Sequence, residues 1–287
     1  MINPSCAAQP RFDPVVPSFL QEIANAFGAI DGVEAVAWCG SSAMGAADSY
    51  SDFDFYVYTH APVPVAAREA VIARRATEYQ LNNTFWEQED EWVESEERRC
   101  NSMYRDCTYA MDEIAERLDR NSALLGYTTA YCFSIANGLI LYDARGWLKS
   151  IQARLREPFP ERLIRSIIAK NRPALGGGMQ SCYLVQIKAA IARNDLISLN
   201  HRTAVWIASY TDILFAVNRR YHPGEKRLLT YMADLPSRPE SALEDVTKLC
   251  ALSGSLSSPL VEHISLMLKR LDEWLNRVGP SIEEKDQ

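Results

Sequence analysis

Between Ser18 and Asp106 the spacing of apolar positions switches repeatedly between a helical and a strand period. Phe19, Leu20, Ile23, Ala24 and Phe27 recur every three to four residues and predict a helix over Phe19–Phe27. Gly32 then breaks the chain, and the apolar run Val33–Cys39 predicts a buried strand ending at Gly40. A polar loop of small residues extends to Tyr50. The aromatic and β-branched segment Phe53–Tyr58 predicts a second strand. After Pro62 and Pro64, Ala66–Gln80 reads as a helix, and further strands are expected near Thr84–Val93 and Arg99–Tyr104. This is an α/β (α+β) pattern, with helices packed on one small sheet.

From Asp112 onward the strand signals stop. Helical periods run through Asp112–Leu118, Ala123–Leu141, Gly146–Leu155, Glu161–Asn171, Met179–Arg193, Leu199–Tyr221, Glu240–Cys250 and Leu256–Val278. Gly and Pro punctuate them at Pro158, Gly176-Gly177-Gly178, Pro223-Gly224 and Pro236. No strand precedes the three glycines, so they read as a connector and not as a phosphate loop. The expected organisation is a loosely structured lead-in over residues 1–17, an α/β domain over 18–111 and an all-α helical bundle over 112–287.

Composition narrows the class. The 287 residues are 47% hydrophobic and 23% charged, enough to build a core without disulfides or metals. A formal charge of −7 disfavours nucleic acid as a partner, since a phosphate-binding surface normally carries a basic excess. No apolar run reaches the ~18 residues of a membrane span; Tyr131–Tyr142 is interrupted by Ser134 and Asn137. The seven cysteines are scattered, with no Cys-x-x-Cys pair, and read as reduced thiols of a cytoplasmic protein.

The candidate chemistry lies between Trp38 and Tyr58. On a strand, Asp52 and Asp54 project from the same side about 6.6 Å apart, while Phe53 and Phe55 face the other way. Two such carboxylates hold divalent metals when waters and substrate phosphates complete the coordination. The Gly40-Ser41 turn lets backbone N–H groups and a hydroxyl approach phosphate oxygens. A P-loop is excluded because Ala46 and Ala47 stand where Lys and Ser/Thr are required. An EF-hand fails at Tyr50 and Phe53, and a nucleophile elbow fails at Met44.

Taken together, Gly40-Ser41 at a strand end followed by Asp52-Phe53-Asp54 on the next strand resembles the nucleotidyltransferase superfamily, the DNA polymerase β-like fold. Within it the chain looks most like the streptomycin and lincosamide adenylyltransferases of antibiotic resistance and their uncharacterised bacterial relatives. The resemblance implies a small mixed sheet followed by a helical domain. It implies transfer of a nucleoside monophosphate, AMP from ATP, to a hydroxyl of a small molecule such as an aminoglycoside or lincosamide. It also implies Asp52 and Asp54 as catalytic Mg²⁺ ligands, with Gly40 and Ser41 at the triphosphate. The family's third carboxylate, on a later strand, falls on Asn101, which cannot accept a proton. Glu89 and Asp90, in the acidic segment Trp86–Trp92, are the expected substitutes for the base, or else belong to a solvated strand end. Lys226 is expected to reach the triphosphate, as lysines of the helical domain do in such enzymes; Asp195 is either a helix cap or a group facing an acceptor amine. The alternatives are a catalytically impaired nucleotide-binding or interaction protein, and a transferase acting on a protein or tRNA.

Overall fold

The computed structural model describes residues 15–45, 51–94, 97–177, 180–256 and 258–278. The loop over residues 46–50 and most of the expected lead-in lie outside them. The chain divides into two compact units. Of the described residues, one takes in those up to Ala115 together with Tyr131–Glu157, and the other takes in Glu116–Ala130 and those from Pro158 onward.

The first unit contains α1 (Ser18–Gly28), β1 (Val33–Cys39), α2 (Gly40–Ala43), β2 (Phe53–Thr59), α3 (Val65–Ile72), β3 (Ala76–Asn83), β4 (Glu89–Glu94) and β5 (Arg99–Asp106). The helix α4 (Cys107–Leu118) leaves the unit, and the chain returns through α5 (Ala130–Asn137), β6 (Leu139–Asp143) and α6 (Trp147–Leu155). The strands form one mixed six-stranded sheet in the order β3-β4-β5-β2-β1-β6. Only β2 and β5 pair in parallel. Leu20, Ile23 and Phe27 of α1 bury one face of the sheet against Val36, Phe55 and Trp92. Phe55 and Trp92 stack there with ring centroids 5.9 Å apart.

Two expected helices are corrected. Ala66–Gln80 divides into α3 and the strand β3, because only the first half buries a helical face, through Arg68 and Ile72. The second half, Ala76–Asn83, is mostly exposed and is held by ladder bonds to β4 rather than by burial. Ala123–Leu141 likewise divides: Gly126 and Tyr127 adopt left-handed φ of 78° and 55°, α5 follows, and Gly138 ends it. A Cβ at Gly138 would lie 2.9 Å from the Cys39 sulfur, so glycine is what lets β6 close onto β1.

The second unit holds α7 (Glu161–Leu175), α8 (Tyr183–Ala192), α9 (Leu196–Val217), α10 (Leu228–Ala233), α11 (Ala242–Leu252) and α12 (Ser258–Val278). α9 is its axis, packed on α7 and α8. Its buried Asp212 accepts from the Thr128 N–H at 3.0 Å and the Thr128 hydroxyl at 2.6 Å, tying down the segment before α5. Burial pushes the Asp212 carboxyl up to about 7 and the His222 imidazole down to about 3. No helix among the described residues is long and apolar enough to cross a membrane.

Candidate active site

The face of the sheet opposite α1 carries the candidate chemistry. β5 runs beside β2 with Asp54 next to Asn101, Tyr56 next to Met103 and Tyr58 next to Arg105. β1 places Cys39 and Ala37 opposite Asp54 and Tyr56, and β4 places Glu91 and Glu89 opposite Asn101 and Met103. Directly paired residues share a face, so these positions form transverse rows. The first row is Cys39, Asp54, Asn101 and Glu91. Asp52 immediately precedes β2 with the same parity as Asp54, and lines a groove of about 490 Å³ with Glu91, Asn101 and Arg99.

Local chain chemistry brings the Gly40 turn onto this row. Gly40 has φ 74°, and a Cβ there would collide with the Asp54 carboxylate, so glycine is required twice over. Ser42 staples the turn: its hydroxyl accepts from Trp38 Nε1 at 3.0 Å and donates to the Asp52 carbonyl at 2.8 Å. The Ser41 hydroxyl donates to Ser51 Oγ at 2.9 Å. The turn therefore has two anchors independent of any substrate.

Asparagine amides donate to three of the carboxylates. Asn101 Nδ2 donates to Asp54 Oδ1 at 3.3 Å. Asn83 Nδ2 donates to Glu89 Oε1 at 2.9 Å and Glu91 Oε1 at 3.1 Å. Partial burial, then the charges of Glu91 and Glu87, push the Glu89 carboxyl above its ordinary value. Among the described residues no three His, Cys, Asp or Glu side chains converge closely enough to hold a metal by themselves.

Asp90 is not at this site, which corrects the expectation that it supplies a base. Strand alternation sends it to the opposite face, where it is fully buried. Its Oδ1 accepts from Arg68 Nη1 at 2.9 Å and the Asn82 N–H at 2.7 Å, and its Oδ2 accepts from the Tyr104 hydroxyl at 2.7 Å. Both carboxylate oxygens have work to do in the fold. Glu91, which the sequence reading passed over, occupies the position opposite Asn101 instead. The signal was available: Glu89 and Glu91 share a strand parity that Asp90 does not.

The remaining candidates belong to the other unit. Lys226 is exposed on the segment between α9 and α10. Asp195 is the N-cap of α9, its carboxylate accepting from the Ser198 N–H at 2.9 Å and the Ser198 hydroxyl at 2.6 Å. Those two bonds hold its carboxyl below the usual range.

Comparison with known proteins gives little beyond this geometry. The model of a family described as a domain of unknown function, DUF4037, matches residues 125–228. No curated protein matches the chain. Among solved structures, the chain is similar to a nucleotidyltransferase-like protein from Exiguobacterium sibiricum 255-15, at 11% identity and a TM-score of 0.42. That alignment covers 90% of this chain and 75% of the other.

Proposed function

We propose that the open sheet face is a nucleotidyl-transfer site that moves a nucleoside monophosphate, AMP from ATP, to the hydroxyl of a small molecule of the aminoglycoside or lincosamide kind. The observation that carries this reading is the glycine turn packed without a Cβ against the Asp54 carboxylate, with Asn101 in register beside it. A strand-end Gly-Ser turn over an Asp-x-Asp carboxylate is the arrangement a triphosphate needs: backbone donors for its oxygens and acidic ligands for its counter-ion.

Mg²⁺ fits the donor set. It keeps several waters and takes only one or two carboxylates plus substrate phosphates, so Asp52 and Asp54 suffice without a third protein ligand. The missing Cβ at Gly40 lets the backbone of the turn pack directly on the Asp54 carboxylate. When bound, the ion supplies neutralising charge to the triphosphate.

The chain's own residues do the rest. Gly40 and Ser41 orient the phosphates. The acceptor oxygen forms a bond to the α-phosphorus as the bond to the bridging oxygen breaks, and pyrophosphate leaves with that electron pair. The acceptor proton goes to a carboxylate on the same face, Glu89, which partial burial and the charges of Glu91 and Glu87 push above its ordinary value. Lys226 contributes to the triphosphate on the strength of the sequence resemblance alone. A second reading, a nucleotide-binding protein without turnover, draws on Asn101, whose amide donates to Asp54 where a carboxylate would be a base or ligand.

Calorimetric titration of Mg·ATP into wild type and Asp54→Asn tests the site, and affinity must be lost in the variant. Pyrophosphate release on a panel of hydroxyl acceptors separates the two readings. Unchanged Mg·ATP affinity in Asp54→Asn would overturn both.

A further inference from the structure

Two rows further along the same face lies a group of buried donors that the proposed reaction does not use. Arg105 is 8% exposed and stacks over the Tyr56 ring at 3.6 Å. Its Nε and Nη2 donate to Glu87 at 2.9 and 2.8 Å. Its third nitrogen, Nη1, is buried and has no hydrogen-bond partner. The hydroxyls of Tyr58 and Tyr131 and the indole N–H of Trp147 are in the same condition. These groups are neighbours: the Tyr58 and Trp147 rings lie 5.3 Å apart, and Arg105 Cζ lies 5.3 Å from the Tyr131 ring.

Buried polar groups are almost always satisfied, and one unsatisfied donor costs about 1–3 kcal/mol. Four on adjoining residues, with Tyr58 the cross-strand partner of Arg105, call for a shared acceptor. Arg Nη1 and Trp Nε1 can only donate, and burial raises the Tyr58 and Tyr131 hydroxyls well above their ordinary pKa, keeping their protons on. One water offers two lone pairs and cannot serve four donors. An oxyanion can, and beside a guanidinium its bonds are charge-assisted.

We propose that Arg105, Tyr58, Tyr131 and Trp147 form a binding pocket for an oxyanion, a phosphate or carboxylate group. It is separate from the Asp54 row: three residues of β2 and three of β5 intervene, a step of about 13 Å along the strands. The Glu87 carboxylate holds one edge of the guanidinium and leaves the other for the ligand.

The test uses the full chain with inorganic phosphate, acetate and AMP as probes, at ionic strength matched with KCl. At least one probe is expected to raise the melting temperature and to bind measurably by calorimetry. Response to phosphate or acetate marks a free anion, and response to AMP alone marks the anionic group of a larger ligand. Tyr58→Phe and Tyr131→Phe, which remove one donor each without opening a cavity, are expected to weaken that binding about tenfold or more. Arg105→Gln is expected to abolish it. The proposal is overturned by no response to any probe, by unchanged affinity in both Tyr→Phe variants, or by equal stabilisation of those variants with and without the probe. Asp54→Asn keeps this experiment apart from the transfer reaction, since it must leave the probe's affinity intact. Loss of affinity in Asp54→Asn but not in the tyrosine variants would put the anion at the Gly40 turn and also overturn the pocket.

Discussion

On the α1 side of the sheet, the Asp90 carboxylate is closed over by Arg68, Asn82 and Tyr104. On the other side, a few ångströms through the same backbone, Asp54, Glu89 and Glu91 are met by two asparagine amides, and Arg105 keeps a buried edge without a partner. Both faces hold charge, but they hold it differently. The first arrangement is what a fold needs to keep an ion pair inside a core. The second keeps the Arg105 Nη1 donor buried without a partner, and that contrast separates the two faces better than the number of acidic residues does.

The largest effect should come from breaking the closed side. Asp90→Leu leaves the Arg68 guanidinium buried without its counter-charge and is expected to cost about 3–5 kcal/mol in urea unfolding. Asp54→Asn on the open side should leave the unfolding midpoint unchanged or raise it in metal-free buffer, while Mg·ATP binding is lost. A pair of matched hydroxyl deletions sharpens the comparison at a smaller scale. Tyr104→Phe removes a donor to a buried carboxylate and is expected to cost about 1.5–3 kcal/mol. Tyr58→Phe, in buffer free of phosphate and carboxylates, should be neutral or stabilising, because it deletes a hydroxyl that bonds nothing.

The smallest effect is a slope. The Glu89 carboxyl is raised in the folded protein, so between its unfolded and folded pKa the native state holds a proton that the unfolded chain has released. Stability from this group is therefore present at low pH and declines as pH rises through the folded value. Glu89→Gln is expected to flatten that decline in unfolding midpoints measured from pH 4 to 8. If Glu89 is also the base, the same variant should lower kcat by about 10²–10⁴-fold with little change in nucleotide affinity. A variant that changes neither slope nor rate would return Glu89 to the surface.

What the sequence made legible follows from how much of each signal is local. α1, β1 and β2 announce themselves because one side of each is apolar with an unbroken period, and Gly40 and Asp54 are close in the chain. Asn101 was singled out only through the resemblance, as the position of the family's third carboxylate, and its pairing with Asp54 came from the structure. β3 was not, since an exposed edge strand held by backbone bonds has no apolar alternation to show. β6 was not, because a short apolar run after a helix has the same composition whether it coils or extends. The Arg105 pocket joins β2, β5, α5 and α6, and no local pattern in the chain reports a donor that lacks a partner.

β6 has a consequence for how the protein is made. The sheet unit is interrupted in sequence by Glu116–Ala130, and its last strand is Leu139–Asp143. During synthesis β1 stays an open edge until that strand has cleared the ribosome, so the front of the chain cannot finish folding first. A gene fragment stopped at Ala115 would carry the Gly40 turn and Asp54 yet expose the β1 edge to other chains, and is expected to aggregate; one carried through Glu157 restores the strand that shields it.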